Sequence, residues 1–520
     1  MNLTPEQKQR GKQNFYDAVG STRRDFLKAA VAAPVLGAFY FGYTQLGGNP
    51  VRAGLIGTGD EGGILLTESN PDYLRFVAYS DIRPSQRKRA MEGDPGSSAR
   101  VGFRRKYGLS AEQAEKEIKF YEDYHQLLQD PNVEAVVIAL PLHFHHGATI
   151  AALEAGKHVL CEKLMGHNVR QCKEMARKAE EKGLILAIGH QRHYSVLYDN
   201  ARSLVDHGLL GDIQHIRALW HRNQTWPAVD RQGQPLRDAA GKPLYRDSWR
   251  KDVPEGDRQV DYAKHGYKSL EELVRWRLYN RTGAGLMAEL GSHQLDACSI
   301  FLGKVHPLAV SGIGGKYFFD DDREVEDHVY VTFEFPGYDH PRGKNQGSNS
   351  NDVVVVTYSS ISTNAMENYG EHVMGTRGSI IVESEQSVML FKEPAPGSKA
   401  TARETEVSVT SVLGGKPVLE SAESPGSGPA AAGLAQATLA DKPSKGYREE
   451  MEHFAWCIRN RDPANQPRCH PRVALADAVY ALTSNLAIRR KQRIEFKADW
   501  FDPNSDAGPE SEAELLAGKR

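Results

Sequence analysis

Val51-Arg52-Ala53-Gly54-Leu55-Ile56-Gly57-Thr58-Gly59-Asp60-Glu61-Gly62 is the stretch that decides how this chain folds. An apolar run ends on three glycines spaced G-x-G-x-x-G, and a second apolar run, residues 74–79, is followed by Asp81. Strand, glycines, second strand and acid, in that order, are the layout of a dinucleotide-binding βαβ unit. Gly57 permits the tight strand-to-helix turn, Gly59 lets backbone approach a pyrophosphate, and Gly62 lets the helix pack close to the strand. Asp81 is placed to bond a ribose 2′-hydroxyl. A carboxylate there repels a 2′-phosphate, so NAD is the expected cofactor. Arg83, two residues on, can contact a phosphate and keeps NADP open.

Working outward, residues 50 to about 190 alternate short apolar β-branched runs with helical patterns. Strands are expected at 51–56, 74–80, 135–140, 158–161 and 184–188, with helices at 62–69, 84–92, 111–118, 124–129, 146–155 and 169–182. This is α/β patterning, and near-continuous apolar strands fit a doubly wound parallel sheet covered on both faces. The second half changes rhythm. Runs at 213–222, 308–319, 328–335, 353–359 and 379–382 follow one another as strands with few helices between them. They predict an α+β domain built on a mostly antiparallel, open-faced sheet. Residues 286–302, 447–459 and 471–489 read as helices. The expected organisation is a signal segment over 1–47, a Rossmann domain over 48–192 and a substrate and oligomerisation domain over 193–500. Within the last, 227–266 reads as a charged loop and 395–444, rich in Ala, Gly, Ser and Pro, as a flexible insertion. The acidic tail, 501–520, is expected to fray.

The 520 residues suffice for two or three domains. A net charge of −2, with no basic stripe interleaved with aromatics, argues against nucleic-acid partners. Five scattered cysteines without a CxxC pair imply neither a disulfide framework nor a structural zinc site. Thr22-Arg23-Arg24-Asp25-Phe26-Leu27-Lys28 precedes an apolar stretch at 29–43. It reads as a twin-arginine export signal, implying the export machinery as a partner and a periplasmic location, with the segment either cleaved or kept as an N-terminal anchor.

Three further segments carry chemistry. Ala139-Leu140-Pro141-Leu142-His143-Phe144-His145 and Cys161-Glu162-Lys163-Leu164 fall at the carboxyl ends of successive strands, where doubly wound sheets bind ligands. In Gly283-Ala284-Gly285-Leu286-Met287-Ala288-Glu289-Leu290-Gly291-Ser292-His293-Gln294-Leu295-Asp296, helical spacings of four and three place Glu289, His293 and Asp296 near one face. With the glycine run, these segments resemble the glucose–fructose oxidoreductase / inositol dehydrogenase (Gfo/Idh/MocA) family, over roughly residues 50–320 and the later Gly375–Ser379 segment. The chain departs from the family pattern in having Leu164 where a proline often closes E-K-P, so a different setting of that loop is expected. It also carries Glu289 for an aspartate and Ala284 for a glycine.

The resemblance implies a catalytic Lys163, whose ammonium holds the substrate oxygen. His293 is the candidate acid/base, because an imidazole titrates near neutrality. Glu289, one turn earlier, is expected to fix its tautomer. Pro141, His143, His145, Glu162, Lys163 and Gln191 are expected to join Gly57, Gly59, Gly62, Asp81 and Arg83 around the cofactor. Lys163, Arg192, Asp296, His293 and Trp220 are expected around the substrate, with His221, Asn223 and Trp226 as further carbohydrate-facing candidates. Neighbouring histidines such as His143, His145 and His146 make a poor metal site, since consecutive side chains point apart, and no metal is expected.

The expected function is NAD(P)-dependent hydride transfer to or from a sugar, polyol or sugar derivative. A redox-neutral nicotinamide-dependent glycosidase and a sugar–sugar oxidoreductase with retained cofactor are the alternatives, and a non-catalytic nucleotide-binding protein is a further one. The expected assembly is a homo-oligomer.

Overall fold

A computed structural model describes residues 3–22, 41–394, 401–404, 407–411, 417–421 and 444–517. Arg23 and Arg24, the pair expected to mark an export signal, and most of the apolar stretch after them lie outside the described residues, as does much of the 395–444 insertion.

The first sheet is parallel and six-stranded: β1 Val51–Ile56, β2 Leu74–Ser80, β3 Lys119–Tyr121, β4 Ala135–Ile138, β5 His158–Glu162 and β6 Leu186–Gly189, in the order β3-β2-β1-β4-β5-β6. Strand order reverses between β1 and β4, so the crevice between them is where such sheets take a ligand. Every residue of β4 and β6 is buried, as continuous apolar runs require when helices cover both faces. Local signals set the helix ends. Ser110 and Gln113 form a capping box before the Ala111–Glu117 helix, and Asn168 caps Val169–Lys182, which ends on a left-handed Gly183.

The second sheet contains β7 Ile213–His221, β8 Ala309–Gly315, β9 His328–Pro336, β10 Val353–Ile361, β11 Tyr369–Gly375, β12 Gly378–Glu383, β13 Ser387–Lys392 and β16 Ile494–Glu495, in the order β13-β12-β11-β7-β10-β9-β8-β16. Only β7 and β10 run parallel; the other pairs are antiparallel. In β9 and β10, buried residues alternate with more exposed ones. The Ser292–Phe301 and Pro471–Arg490 helices pack on one face. Ile313, Tyr330 and Val355 are exposed on the sheet. Part of the 395–444 insertion forms a hairpin, β14 Val407–Ser411 with β15 Pro417–Ser421.

Two regions set aside as terminal are built into the fold. The Pro5–Thr22 helix buries Phe15, Ala18 and Val19, and lies so close to β13 that a Cβ on Gly11 would meet Phe391 Cζ at 2.5 Å. Beyond residues 23–40, Phe41 and Tyr43 are buried, and Tyr43 donates to Glu452 at 2.5 Å. The acidic tail does not fray over its described part. The buried Lys173 ammonium gathers the carbonyls of Asp499, Ser505 and Ala507 at 2.7, 3.0 and 2.6 Å, and Glu510 accepts from Val169 N at 2.8 Å. A buried cation with three acceptors is satisfied only while the tail stays docked.

Candidate active site

The carboxyl ends of β1, β2, β4 and β5 open onto a cavity of ≈ 820 Å³, within the size range of small-molecule sites. The glycine loop forms its floor. Gly57 has φ +87°, and a Cβ there would sit 2.5 Å from the Ala139 carbonyl oxygen. A Cβ on Gly62 would sit 2.2 Å from Gly57 O, so the Asp60–Glu68 helix can approach β1 only because residue 62 lacks a side chain. A Cβ on Gly59 would meet nothing within 4 Å, and this open space faces the cavity. Asp60, in the first helical turn, pairs with Arg89 at 2.9 Å and with Lys251. Burial opposes its ionisation, but the two cations win and hold its carboxyl below the usual range. The helix N-terminus therefore keeps its donors and positive end for an anion.

Asp81 stands at the end of β2. Its Oδ2 accepts from Thr58 N at 2.8 Å and from Thr58 Oγ1 at 3.0 Å, which ties the acid to the glycine loop. The open floor, the free helix end and the acid beside them fit a dinucleotide with its pyrophosphate over Gly59 and a ribose at Asp81.

At the other end of the cavity stand Lys163, Glu162, Glu289, His293 and Trp220. The Lys163 ammonium donates to the Glu289 carbonyl at 2.9 Å. The Lys163–Leu164 peptide bond is cis although residue 164 is not proline. Burial, reinforced by Glu61, pushes the Glu162 carboxyl well up. Glu61 is itself pushed up by burial, against the pull of Lys163, and interacts with Tyr447 from the Tyr447–Arg459 helix. His293 is held well below its ordinary value by burial, with Lys163 and Arg192 adding to the effect. It is therefore a neutral imidazole, able to accept a hydrogen bond from a hydroxyl. Trp220 stacks on Tyr369 with centroids 4.5 Å apart and lies 5.6 Å from the His293 ring.

Several expected residues are placed elsewhere. Glu289 does not bond His293. Its Oε2 accepts from Arg277 Nε at 2.6 Å, and a π-helical turn over Met287–Gly291 breaks the α-helical spacing that suggested the pairing. Burial raises the Glu289 pKa, but Arg277 and Lys163 outweigh it and keep the carboxylate ionised. His143 turns from the cavity to the Thr282 carbonyl, at 3.2 Å. His145 lines the cavity but spends both ring nitrogens on the Leu164 and Leu140 carbonyls, each at 2.8 Å, and so joins the loops after β4 and β5. His146 bonds Glu174.

Gln191 and Arg192 are buried off the cavity wall. Arg192 pairs with Glu385 at 2.6 Å and Glu371 at 2.9 Å, and donates to the His293 carbonyl at 2.7 Å. It is a support for the helix bearing His293, not a substrate ligand. Asp296 is fully buried, accepting from Lys304 at 2.6 Å and meeting His193 Nε2 at 2.8 Å. Its negative charge has no solvent to turn to and is paired by these side chains of its own domain. His221 bonds Ser359, Asn223 bridges to Thr363, and Trp226 is two-thirds exposed; none of the three lines the cavity.

Sequence reasoning did not single out Arg277, Trp249, Tyr267 and Tyr447, all on the cavity wall. They come from distant segments with no shared spacing. The 227–266 segment, expected as a charged loop, supplies Ser248, Trp249, Lys251, Lys264, His265 and Gly266 to the cavity wall, and Lys251 pairs with Asp60 of the glycine loop.

Fold and site define a dinucleotide-binding α/β protein of the oxidoreductase kind. Residues 52–190 match the oxidoreductase-family NAD-binding Rossmann fold, and residues 258–381 match the GFO/IDH/MocA C-terminal domain, together about half of the sequence. The chain belongs to the Gfo/Idh/MocA oxidoreductase family, and its N-terminal domain is that family's NAD-binding unit.

Among curated relatives it is 29% identical over 200 residues to an inositol 2-dehydrogenase/D-chiro-inositol 3-dehydrogenase of Lactiplantibacillus plantarum, covering 38% of this chain and 50% of that one. It is 28% identical over 222 residues to a trans-1,2-dihydrobenzene-1,2-diol dehydrogenase of Macaca fuscata fuscata, covering 43% and 51%. The chain thus spans about half the length of these relatives. In fold it is similar to an aldose-aldose oxidoreductase from Caulobacter crescentus, with TM-score 0.55, 18% identity and coverage of 86% of this chain and 100% of that one. It is also similar to a levoglucosan dehydrogenase solved with NADH and levoglucosan, with TM-score 0.54, 16% identity and coverage of 86% and 99%.

Proposed function

We propose that this chain is an NAD-dependent dehydrogenase acting on a secondary alcohol of a sugar, polyol or sugar derivative. The observation that carries this reading is one cavity with the glycine loop and Asp81 at one end and Lys163, His293 and Trp220 at the other. Bound NAD supplies the hydride acceptor. The Lys163 ammonium, held by the Glu289 carbonyl, binds and orients the substrate oxygen. The neutral His293 imidazole takes the hydroxyl proton as the carbonyl forms. The flat Trp220 face, fixed by Tyr369, suits the C–H face of a sugar ring. The names of the inositol and levoglucosan dehydrogenases support the same substrate class. Lys163→Met tests the reading. Turnover is expected to vanish while NADH binding persists, and turnover that survives refutes the role of Lys163.

A second reading, a redox-neutral glycosidase or sugar–sugar oxidoreductase that retains its nucleotide, has its own support. Ser248, Trp249, Lys251 and Lys264 of the 227–266 segment line the cavity, and Lys251 fastens the segment to the cofactor loop through Asp60. Purified protein would be unfolded and the nucleotide released from it identified. Near one nucleotide per chain favours retention, and an empty protein favours a simple dehydrogenase with exchangeable cofactor.

Export by the twin-arginine route to the periplasm rests on residues 22–43. Changing Arg23 and Arg24 to lysine should then abolish export. The homo-oligomer rests on the open face of the second sheet, where Ile313 and Tyr330 are exposed.

A further inference from the structure

Asp257 belongs to the second domain, yet it is fully buried against the first. Its Oδ2 accepts from Arg83 Nε at 2.9 Å and from Ser85 Oγ at 2.6 Å, and its Oδ1 accepts from Ser85 N at 2.9 Å. Arg83 Nη2 lies 2.9 Å from the same Oδ2. The Pro84–Glu92 helix has no side-chain cap of its own, because Arg83 occupies its N-cap position. Asp257 supplies the missing acceptor from 172 residues away. It thereby takes up Arg83, the cation two residues beyond Asp81.

We propose that Asp257 is a specificity residue for the cofactor: it holds Arg83 away from a 2′-phosphate and so makes the site select NAD over NADP. The proposal rests on the nucleotide reading above and deepens it. Asp81 alone disfavours a 2′-phosphate by repulsion. An arginine beside it would offset that repulsion through a charge-assisted bond to the phosphate. With Arg83 turned onto a buried carboxylate, the cation two residues beyond Asp81 is already engaged. The other cations near Asp81 are Arg87, which spends Nε on the Asp81 carbonyl at 2.8 Å and Nη2 on the Ile82 carbonyl at 3.2 Å, and Lys264, which is exposed and carried by the same 227–266 segment. Selection is thus made jointly by the first domain and by a segment folded over it, and the same contact fastens that segment down.

The test reads bound nucleotide, not turnover. The full chain is equilibrated with equal NADH and NADPH, separated from free nucleotide and unfolded, and the released nucleotides are quantified. The wild-type chain is expected to release NADH in at least tenfold excess. Asp257→Asn can still accept from Ser85 at Oδ1 while its amide no longer holds Arg83. It should shift the ratio toward NADPH at least tenfold, and adding Arg83→Ala should reverse the shift. An unchanged ratio in Asp257→Asn overturns the proposal.

Arg83→Ala in the otherwise unchanged chain is the second test, independent of how Asp257 variants fold. NADPH retention should change by less than twofold. A tenfold loss would mean that Arg83 already serves the phosphate, and overturns the proposal. A loss of that size in Lys264→Ala instead would overturn it in favour of Lys264. Binding of neither nucleotide to the wild-type chain in a direct equilibrium titration would overturn the nucleotide reading itself, a different failure from an altered ratio.

Discussion

Two alanine substitutions three residues apart in the glycine loop should separate folding from binding. At Gly62 the first effect of alanine is favourable, because a helical Gly→Ala change gains roughly 0.5–1 kcal/mol in propensity. The second effect opposes it. The new Cβ would lie 2.2 Å from Gly57 O, about 1 Å inside ordinary contact, and the atom it meets is backbone in a tight turn. Either the helix moves off β1 or the turn opens, and overpacking of this kind costs about 1–3 kcal/mol. The steric term wins because neither partner is a flexible side chain. Gly62→Ala should therefore lose about 1–2 kcal/mol net of its propensity gain.

At Gly59 the sign of the argument differs. Its φ is −65°, and a Cβ there touches nothing. Gly59→Ala should lose at most about 1 kcal/mol, as a poorer N-cap. It should nevertheless weaken nucleotide binding at least tenfold, since the methyl projects where a pyrophosphate must approach backbone. Urea unfolding at constant m-value reads the first quantity, and NADH fluorescence on titration reads the second. A Gly62→Ala chain as stable as the wild type would refute the close helix–strand approach. A Gly59→Ala chain that binds NADH normally would refute the placement of the pyrophosphate.

Arg192→Leu should cost about 3–5 kcal/mol in urea unfolding, because it leaves Glu371 and Glu385 buried without their cation. Arg192→Lys should recover little, since a point charge cannot span both acids and the His293 carbonyl, and a loss below 1 kcal/mol in Arg192→Leu would refute its supporting role. His306, stacked on Phe501, is lowered to about 4 by burial and by Arg342. The unfolded chain takes that proton near 6.5, so this contribution is complete above pH 6.5 and is lost as pH falls toward 4; because the residue is more than a third exposed, solvent screening cuts the loss to about 1 kcal/mol. His306→Gln should show a shallower loss of Tm than the wild type between pH 6.5 and 4, and parallel curves would refute the assignment.

Much of the fold was legible in the chain itself. Nearest-neighbour patterning marks strands and helices wherever burial is periodic, as at Val51–Ile56 or Val169–Lys182. It marks the glycine loop because only glycine tolerates those approaches. Edge strands such as Lys119–Tyr121 and Ser387–Lys392 escaped it, being short or paired on one side only. The π-helical turn at Glu289 escaped it because hydrogen-bond register is not written in residue type.

The sequence by itself determined the parallel dinucleotide-binding sheet, its cofactor loop, and the positions of Lys163 and His293, all of which depend on residues close together along the chain. Tertiary structure alone decided which charges are spent and which are left for chemistry. Arg192 goes to Glu371 and Glu385, Glu289 to Arg277, Asp296 to Lys304, and Arg83 to Asp257. Each of the four was a reasonable ligand when judged by its side chain. Which partner takes it depends on which opposite charge the fold buries beside it, because a buried charge must be paired and water is not there to do it.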